Sequence, residues 1–113
     1  RHFAVKMQAG RYFCKIFDGE LVNRHKPSVS VLFNSLADTT IALNVHAIML
    51  TGMGKDGADA MKAIHTNGAI TTAQDKSSSL VWGMPGSAVA LGGVDEQLPI
   101  NEMAKHILKL AYN

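Results

Sequence analysis

The residues best suited to chemistry lie in Thr51-Gly52-Met53-Gly54-Lys55-Asp56-Gly57, a glycine-rich turn that follows the apolar run Ala47-Ile48-Met49-Leu50 and presents one carboxylate just before a helix. Gly52, Gly54 and Gly57 permit tight backbone and close approach, and N–H groups at the start of the following helix can hold an anion or a developing oxyanion. The commoner reason for an aspartate at such a place is to cap that helix or charge its first turn. Both roles stand open for Asp56. The run lacks the Gly-x-x-x-x-Gly-Lys-Ser/Thr spacing of a phosphate loop and the Gly-x-Gly-x-x-Gly spacing of a dinucleotide site. No serine stands in a Gly-x-Ser-x-Gly elbow, so the chain reads as the acid-bearing half of a catalytic site.

The other reactive side chains are scattered. His2, His25, His46, His65 and His106 include no His-x-x-x-His pair, and Cys14 is the single cysteine, so neither a zinc site nor another metal or cofactor is expected. His25, in the polar run Asn23-Arg24-His25-Lys26, is the histidine placed to line a ligand surface. His46 falls within an apolar run as a core group, and His65 and His106 read as structural or solvent-facing. Trp82 and Met84 frame the loop before Pro85; packing is their preferred role, and covering the crevice is the alternative. Cys14, among Tyr12, Phe13, Ile16 and Phe17, is expected to be a packed structural thiol.

These residues need a scaffold that brings loop 51–57 to one edge. His2 to Met7 and Tyr12 to Phe17 predict a β-hairpin around Gln8-Ala9-Gly10-Arg11. Pro27 followed by Val29, Leu32, Phe33, Leu36 and Ala37 predicts a helix over 27–38. Val45 to Leu50 is almost continuously apolar, the pattern of a central parallel strand covered on both faces. Ala60, Met61, Ala63 and Ile64 form a helical stripe that Asn67-Gly68 ends, and Ala69 to Ala73 is the next strand, completing a βαβ unit. A short helix from Pro85 to Leu91, an edge strand or loop over 94–98, and an amphipathic helix from Ile100 to Leu110 follow. The architecture is α/β, a mostly parallel sheet flanked by helices, with an N-terminal β-hairpin. Ligands of such sheets collect outside the C-terminal strand ends, where Thr51 to Gly57 lies.

Composition excludes several classes. With 47% apolar and 18% charged residues the chain is of folded, non-fibrous type. Its +2 charge is mixed along the sequence, and its densest basic run has no interleaved aromatics, which argues against nucleic acid. No apolar run approaches 18 residues, so no membrane insertion is expected. A lone cysteine and no visible signal peptide point to the cytoplasm. Arg1-His2-Phe3-Ala4-Val5 opens in the middle of a strand, so upstream residues are expected.

Four ordered segments, Asn23 to Phe33, Leu50 to Ala58, Gly68 to Asp75 and Val81 to Ala88, resemble the C-terminal part of the catalytic domain of the chemotaxis response-regulator methylesterase (CheB) family, across nearly all of residues 1–113. The resemblance implies an incomplete Rossmann-like serine hydrolase domain. Its implied activity is removal of methyl groups from glutamate esters, and deamidation of glutamines, on methyl-accepting chemotaxis receptors by a Ser-His-Asp triad. By the Gly-Met-Gly-x-Asp-Gly match, Asp56 would be the triad acid and Met53, beside Gly54, would give its N–H to the oxyanion site. The serine and histidine, and the family's N-terminal receiver domain, fall outside these residues. Arg24 and His25 match a loop near the substrate cleft, and Ser30 departs from the aspartate of the usual pattern. Two other classes stand beside this one: a catalytically silent receptor-binding or scaffold domain, and a small-molecule acyl hydrolase.

Overall fold

The computed structural model describes residues 1–37 and 39–112. Strands β1 (His2–Gln8) and β2 (Arg11–Phe17) pair antiparallel from His2 opposite Phe17 to Gln8 opposite Arg11. Ala9 and Gly10 both take positive φ, 52° and 76°, as a two-residue hairpin loop requires. Helix α1 (Val29–Ser35) starts at Ser28, whose hydroxyl accepts from the Ser30 N–H as a helix cap should. A four-residue helix α2 (Thr39–Ala42) leads to β3 (His46–Met49). Then come α3 (Ala58–Thr66), β4 (Ile70–Gln74), α4 (Gly83–Ala90), β5 (Glu96–Leu98) and α5 (Ile100–Ala111).

Among the described residues the second sheet is parallel throughout, in the order β3-β4-β5, so the crossovers through α3 and α4 make two successive βαβ units. Ala47 and Met49 of β3 face a core formed by Ala58, Ala60, Met61 and Ile64 of α3, Ala88 of α4 and Phe33 of α1. Alternation along the strand turns His46 to the other face, where its Nε2 lies 2.8 Å from Thr72 Oγ1 and its ring meets the His106 ring of α5 edge-on at 5.4 Å. Burial, then the nearby His106, push His46 below its usual pKa; Asp95 pulls weakly the other way. His65 of α3 pairs with Asp95 at 2.7 Å, tying that helix to the loop before β5. Among the described residues no helix is long and apolar enough to cross a membrane.

Four expectations change. The helix foreseen over 27–38 is α1, which ends at Ser35 because Leu36 leaves helical geometry, and α2 follows as a separate helix; residue 38 lies outside the described residues. Among the described residues the middle strand of the sheet is β4, and β3 lies beside it. Thr71, Thr72, Ala73 and Gln74 are all buried, in a strand with a partner on each edge and α3 and α4 packed on it. Their threonines and glutamine hid that burial from a hydropathy pattern. The short helix begins at Gly83, not Pro85, which sits in the first turn where its missing N–H has no helical partner to lose. Cys14 is exposed, not packed. It belongs to a hairpin face shared with Phe3, Val5, Met7, Tyr12 and Ile16, whereas α1 packs against the opposite face, where His2 and Ala4 are buried.

Gly57, at φ 91°, packs against α1 and β3: a Cβ there would lie 2.5 Å from Val29 Cγ1 and 3.3 Å from Met49 Cε. Gly54 has a similar φ, 89°, but open space around it. Gly57→Ala therefore adds overpacking to left-handed strain and is expected to cost about 2–5 kcal/mol, and Gly54→Ala only the strain, about 1–2 kcal/mol. Urea unfolding of the two variants checks the difference.

Candidate active site

Loop 50–57 leaves the C-terminal end of β3 and is anchored from β4 and the segment before α4. The Thr51 N–H donates to Gln74 Oε1 at 2.8 Å, and the Gly52 N–H donates to the Val81 carbonyl at 2.9 Å. Thr51 Oγ1 both donates to the Val81 carbonyl and accepts its N–H, each at 2.8 Å. The Met84 N–H donates to the Gly52 carbonyl at 3.0 Å, and the Trp82 indole donates to the Gln74 carbonyl at 3.0 Å. Gly83 permits this approach, since a Cβ there would stand 3.0 Å from the Gly52 oxygen and 3.1 Å from the Gly54 nitrogen. So braced, the turn leaves the Met53 and Gly54 N–H groups without an acceptor among the described residues, with the Met53 side chain 79% exposed.

Asp56 is buried, 6% exposed, and its carboxylate points away from its own helix. Gly57, in left-handed geometry, is the cap residue of α3, and no side chain caps that helix. Asp56 instead closes the N-terminus of α1. Oδ2 accepts from the Val29 N–H at 2.6 Å; Oδ1 accepts from Ser28 Oγ at 2.7 Å and Asn23 Nδ2 at 3.1 Å, with the Ser30 N–H at 3.5 Å. The capping role is thus present, across the fold and not along the chain. Burial works against ionisation and is the largest single influence, but the Asn23 amide, the Ser28 hydroxyl and the two N–H groups outweigh it and hold the carboxyl below its usual pKa. A carboxylate offers about four acceptor positions. Ser28 and Asn23 occupy Oδ1 and Val29 takes one position on Oδ2, which leaves the second position of Oδ2 for a further donor.

The segment that supplies the Asn23 amide is itself a tight turn. Val22 and His25 exchange both backbone hydrogen bonds, at 3.0 and 2.9 Å, and the central residues Asn23 and Arg24 have φ of 51° and 68°. Asparagine tolerates that geometry; arginine at the second position carries a strain that glycine would not. Ser30 Oγ accepts from Asn23 Nδ2 at 3.0 Å and from the Gly57 N–H at 2.9 Å, so Ser30 joins the turn to the entry of α3 without placing a second charge beside Asp56. Buried His2 completes the support: its Nδ1 accepts from the Ser28 N–H at 3.2 Å and its Nε2 donates to the Glu20 carbonyl at 2.8 Å. The N–H of Ser28 can only donate, which assigns the ring tautomer.

Asp56, Gly54, Arg24 and His25 line one concavity of about 880 Å³, together with Asn23 and Lys55. Met53 stands on the exposed turn beside it. Trp82 and Met84 are not in its wall: the indole packs on Gly86, where a Cβ would stand 2.7 Å from Cε3, and the Met84 sulfur covers Gly52. Both serve as braces of the loop. Asn23, Ser28, Ser30, Lys55 and His2 were not singled out for the site from residue types. For Asn23 a signal was present, since an asparagine at the centre of Val-Asn-Arg-His marks a tight turn. Nothing local distinguishes His2. Among the described residues no three His, Cys, Asp or Glu side chains converge as a metal site.

With this geometry in hand, similarity to known proteins can be placed on it. The profile of the family described as CheB methylesterase matches residues 1–107. A protein-glutamate methylesterase/protein-glutamine glutaminase of Borreliella burgdorferi is 49% identical over 108 residues, covering 96% of this chain and 28% of that protein. One of Dechloromonas aromatica is 50% identical over 103 residues, 91% of this chain and 28% of its own length. The chain thus spans less than a third of these relatives. The crystal structure of the Thermotoga maritima CheB methylesterase catalytic domain superposes with a TM-score of 0.89 at 29% identity, covering 96% of this chain and 57% of that one.

Asp56→Asn replaces an acceptor with a group that is half donor and sets it against N–H and O–H donors, at an expected cost of about 1–3 kcal/mol at neutral pH. Because the folded carboxyl titrates below its unfolded value of about 3.9, its contribution is complete above that pH and is lost as pH falls through the lower folded value. The stability gap between wild type and Asp56→Asn should be constant from about pH 5 to 7 and close below about pH 4, as measured by urea unfolding at each pH. Arg24→Gly relieves the left-handed strain and is expected to stabilise by about 0.5–1 kcal/mol in the same assay.

Proposed function

The chain belongs to the CheB methylesterase family, and we propose that residues 1–113 are the C-terminal, acid-bearing portion of the catalytic domain of a protein-glutamate methylesterase that also deamidates glutamines on bacterial chemoreceptors. The observation that carries this reading is the state of Asp56: buried, held ionised by four donors, at the wall of a concavity, with one acceptor position of Oδ2 unused. A triad acid needs that set of properties. It must stay charged, must not move, and must keep one lone pair for an imidazole N–H.

The rest of the mechanism follows from what a triad requires. A serine hydroxyl attacks the ester carbonyl, and a histidine takes the proton. Asp56 holds that histidine in one tautomer and stabilises its charged form. The unaccepted N–H of Met53, with that of Gly54 beside it, supplies donors for the oxyanion, and the hydrogen bonds through Thr51, Gly52 and Met84 keep them in place beforehand. Methanol leaves from an ester, or ammonia from a glutamine, and water then hydrolyses the acyl-enzyme. Lewis-acid help is not needed for either leaving group in this scheme.

In the intact enzyme carrying this sequence, Asp56→Asn is expected to lower methylesterase kcat by roughly 10⁴-fold, measured on protein shown to be folded by circular dichroism. Turnover close to wild type would overturn the assignment of Asp56, and no turnover in the wild type would favour the silent binding domain.

A further inference from the structure

His2 stands at the start of β1, 1% exposed, and spends both ring nitrogens on backbone groups distant in the chain. Nε2 donates to the Glu20 carbonyl at 2.8 Å, and Nδ1 accepts from the Ser28 N–H at 3.2 Å. The Phe17 ring of the facing strand lies 5.8 Å away, and among the described residues no charged side chain pairs with the imidazole. A ring satisfied in this way could serve packing alone. What sets it apart is the group it holds.

Ser28, itself 2% exposed, sends its hydroxyl proton to Asp56 Oδ1 at 2.7 Å while its Oγ accepts from the Ser30 N–H at 3.2 Å. As the cap residue of α1 it has an N–H that lies outside the helical ladder, and among the described residues His2 Nδ1 is its acceptor. A buried donor is costly to leave bare. Without Nδ1 the peptide before Ser28 would turn toward another acceptor and carry the hydroxyl with it. His2 is not in the wall of the concavity and touches no reacting atom, so any effect on the reaction passes through Ser28.

We propose that His2 is a positioning residue of the esterase reaction: its unprotonated Nδ1 fixes the Ser28 peptide, and through the Ser28 hydroxyl it holds the Asp56 carboxylate in its orientation. The effect on turnover rests on the reading of Asp56 as a triad acid; the link from His2 to the carboxylate does not.

Two variants separate this role from packing. In His2→Asn the side-chain oxygen stands as many bonds from Cα as Nδ1 does and can accept from the Ser28 N–H. In His2→Gln the amide nitrogen stands as many bonds from Cα as Nε2 does and can donate to the Glu20 carbonyl, with no acceptor on the Ser28 side. Each keeps one of the two bonds, so a ring that only stabilises the fold predicts like losses. The first readout is the Asp56 carboxyl titration, followed by carbon-13 NMR in the 113-residue chain. His2→Asn is expected to titrate as wild type and His2→Gln at higher pH, because a carboxylate that loses a donor ionises less readily. The second readout is methylesterase turnover of the intact enzyme carrying this sequence. His2→Gln is expected to lower kcat about tenfold with KM within about twofold, and His2→Asn to keep kcat within about threefold of wild type. Unfolding of either variant, an Asp56 titration that moves in neither or in both alike, or equal kcat in the two would each overturn the proposal. Those outcomes with Asp56→Asn inactive would leave the reading of Asp56 standing without His2. Titrations that split as expected, with an active Asp56→Asn enzyme, would keep the link from His2 to the carboxylate and remove the esterase reading alone.

Discussion

A carboxylate removed from water must be met by donors or it will not stay charged, and Asp56 is the point where this chain meets that demand. The donors come from three separate places: the turn at 22–25 through Asn23, the cap of α1 through Ser28, and the first N–H of that helix through Val29. One side chain therefore fixes the mutual position of α1, α3 and the strained turn. The backbone of α1 is satisfied at its N-terminus by an acid more than twenty residues away, and that acid is in turn held still. A group oriented this firmly can orient another.

The second layer of support runs through the C-terminal edge of the parallel sheet. Gln74, 2% exposed, receives the Thr51 N–H on its side-chain oxygen, the Trp82 indole on its carbonyl, and directs its own amide to the Ser78 carbonyl. Those bonds bring the loop after β3, the end of β4 and the segment before α4 together, where a parallel sheet presents its ligands. Gly83 and Gly57 then allow the two close backbone approaches on which the arrangement depends. The concavity beside Asp56 is the space these ties leave, and its wall combines a fixed carboxylate with cations that make no ion pair among the described residues.

Membership of the CheB methylesterase family and the 0.89 TM-score against a solved catalytic domain place this geometry in an enzyme family, and coverage of 57% of that domain means that these residues form only part of such a fold. What this chain holds is a buried carboxylate fixed by its donors, two backbone N–H groups without an acceptor among the described residues, and a charged wall.

Much of this was legible in the residues themselves. Apolar alternation and helical stripes located the hairpin, the β3-α3-β4 unit and α5, and the glycine-rich run singled out Asp56, because local spacing reports which face of an element meets the core. The motifs also carried the family. The partners of Asp56 were not legible, because Asn23, Ser28 and Val29 lie 27 to 33 residues away and only packing of α1 on α3 brings them near. The same holds for the exposed Cys14, which with Tyr12 and Ile16 lies on the hairpin face turned away from α1, and for β4, whose polar residues are buried in the middle of the sheet with α3 and α4 packed on it. Local periodicity sets which elements form. Which carboxylate caps which helix, and which charges are left unpaired at a cleft, is decided only when distant segments close against each other.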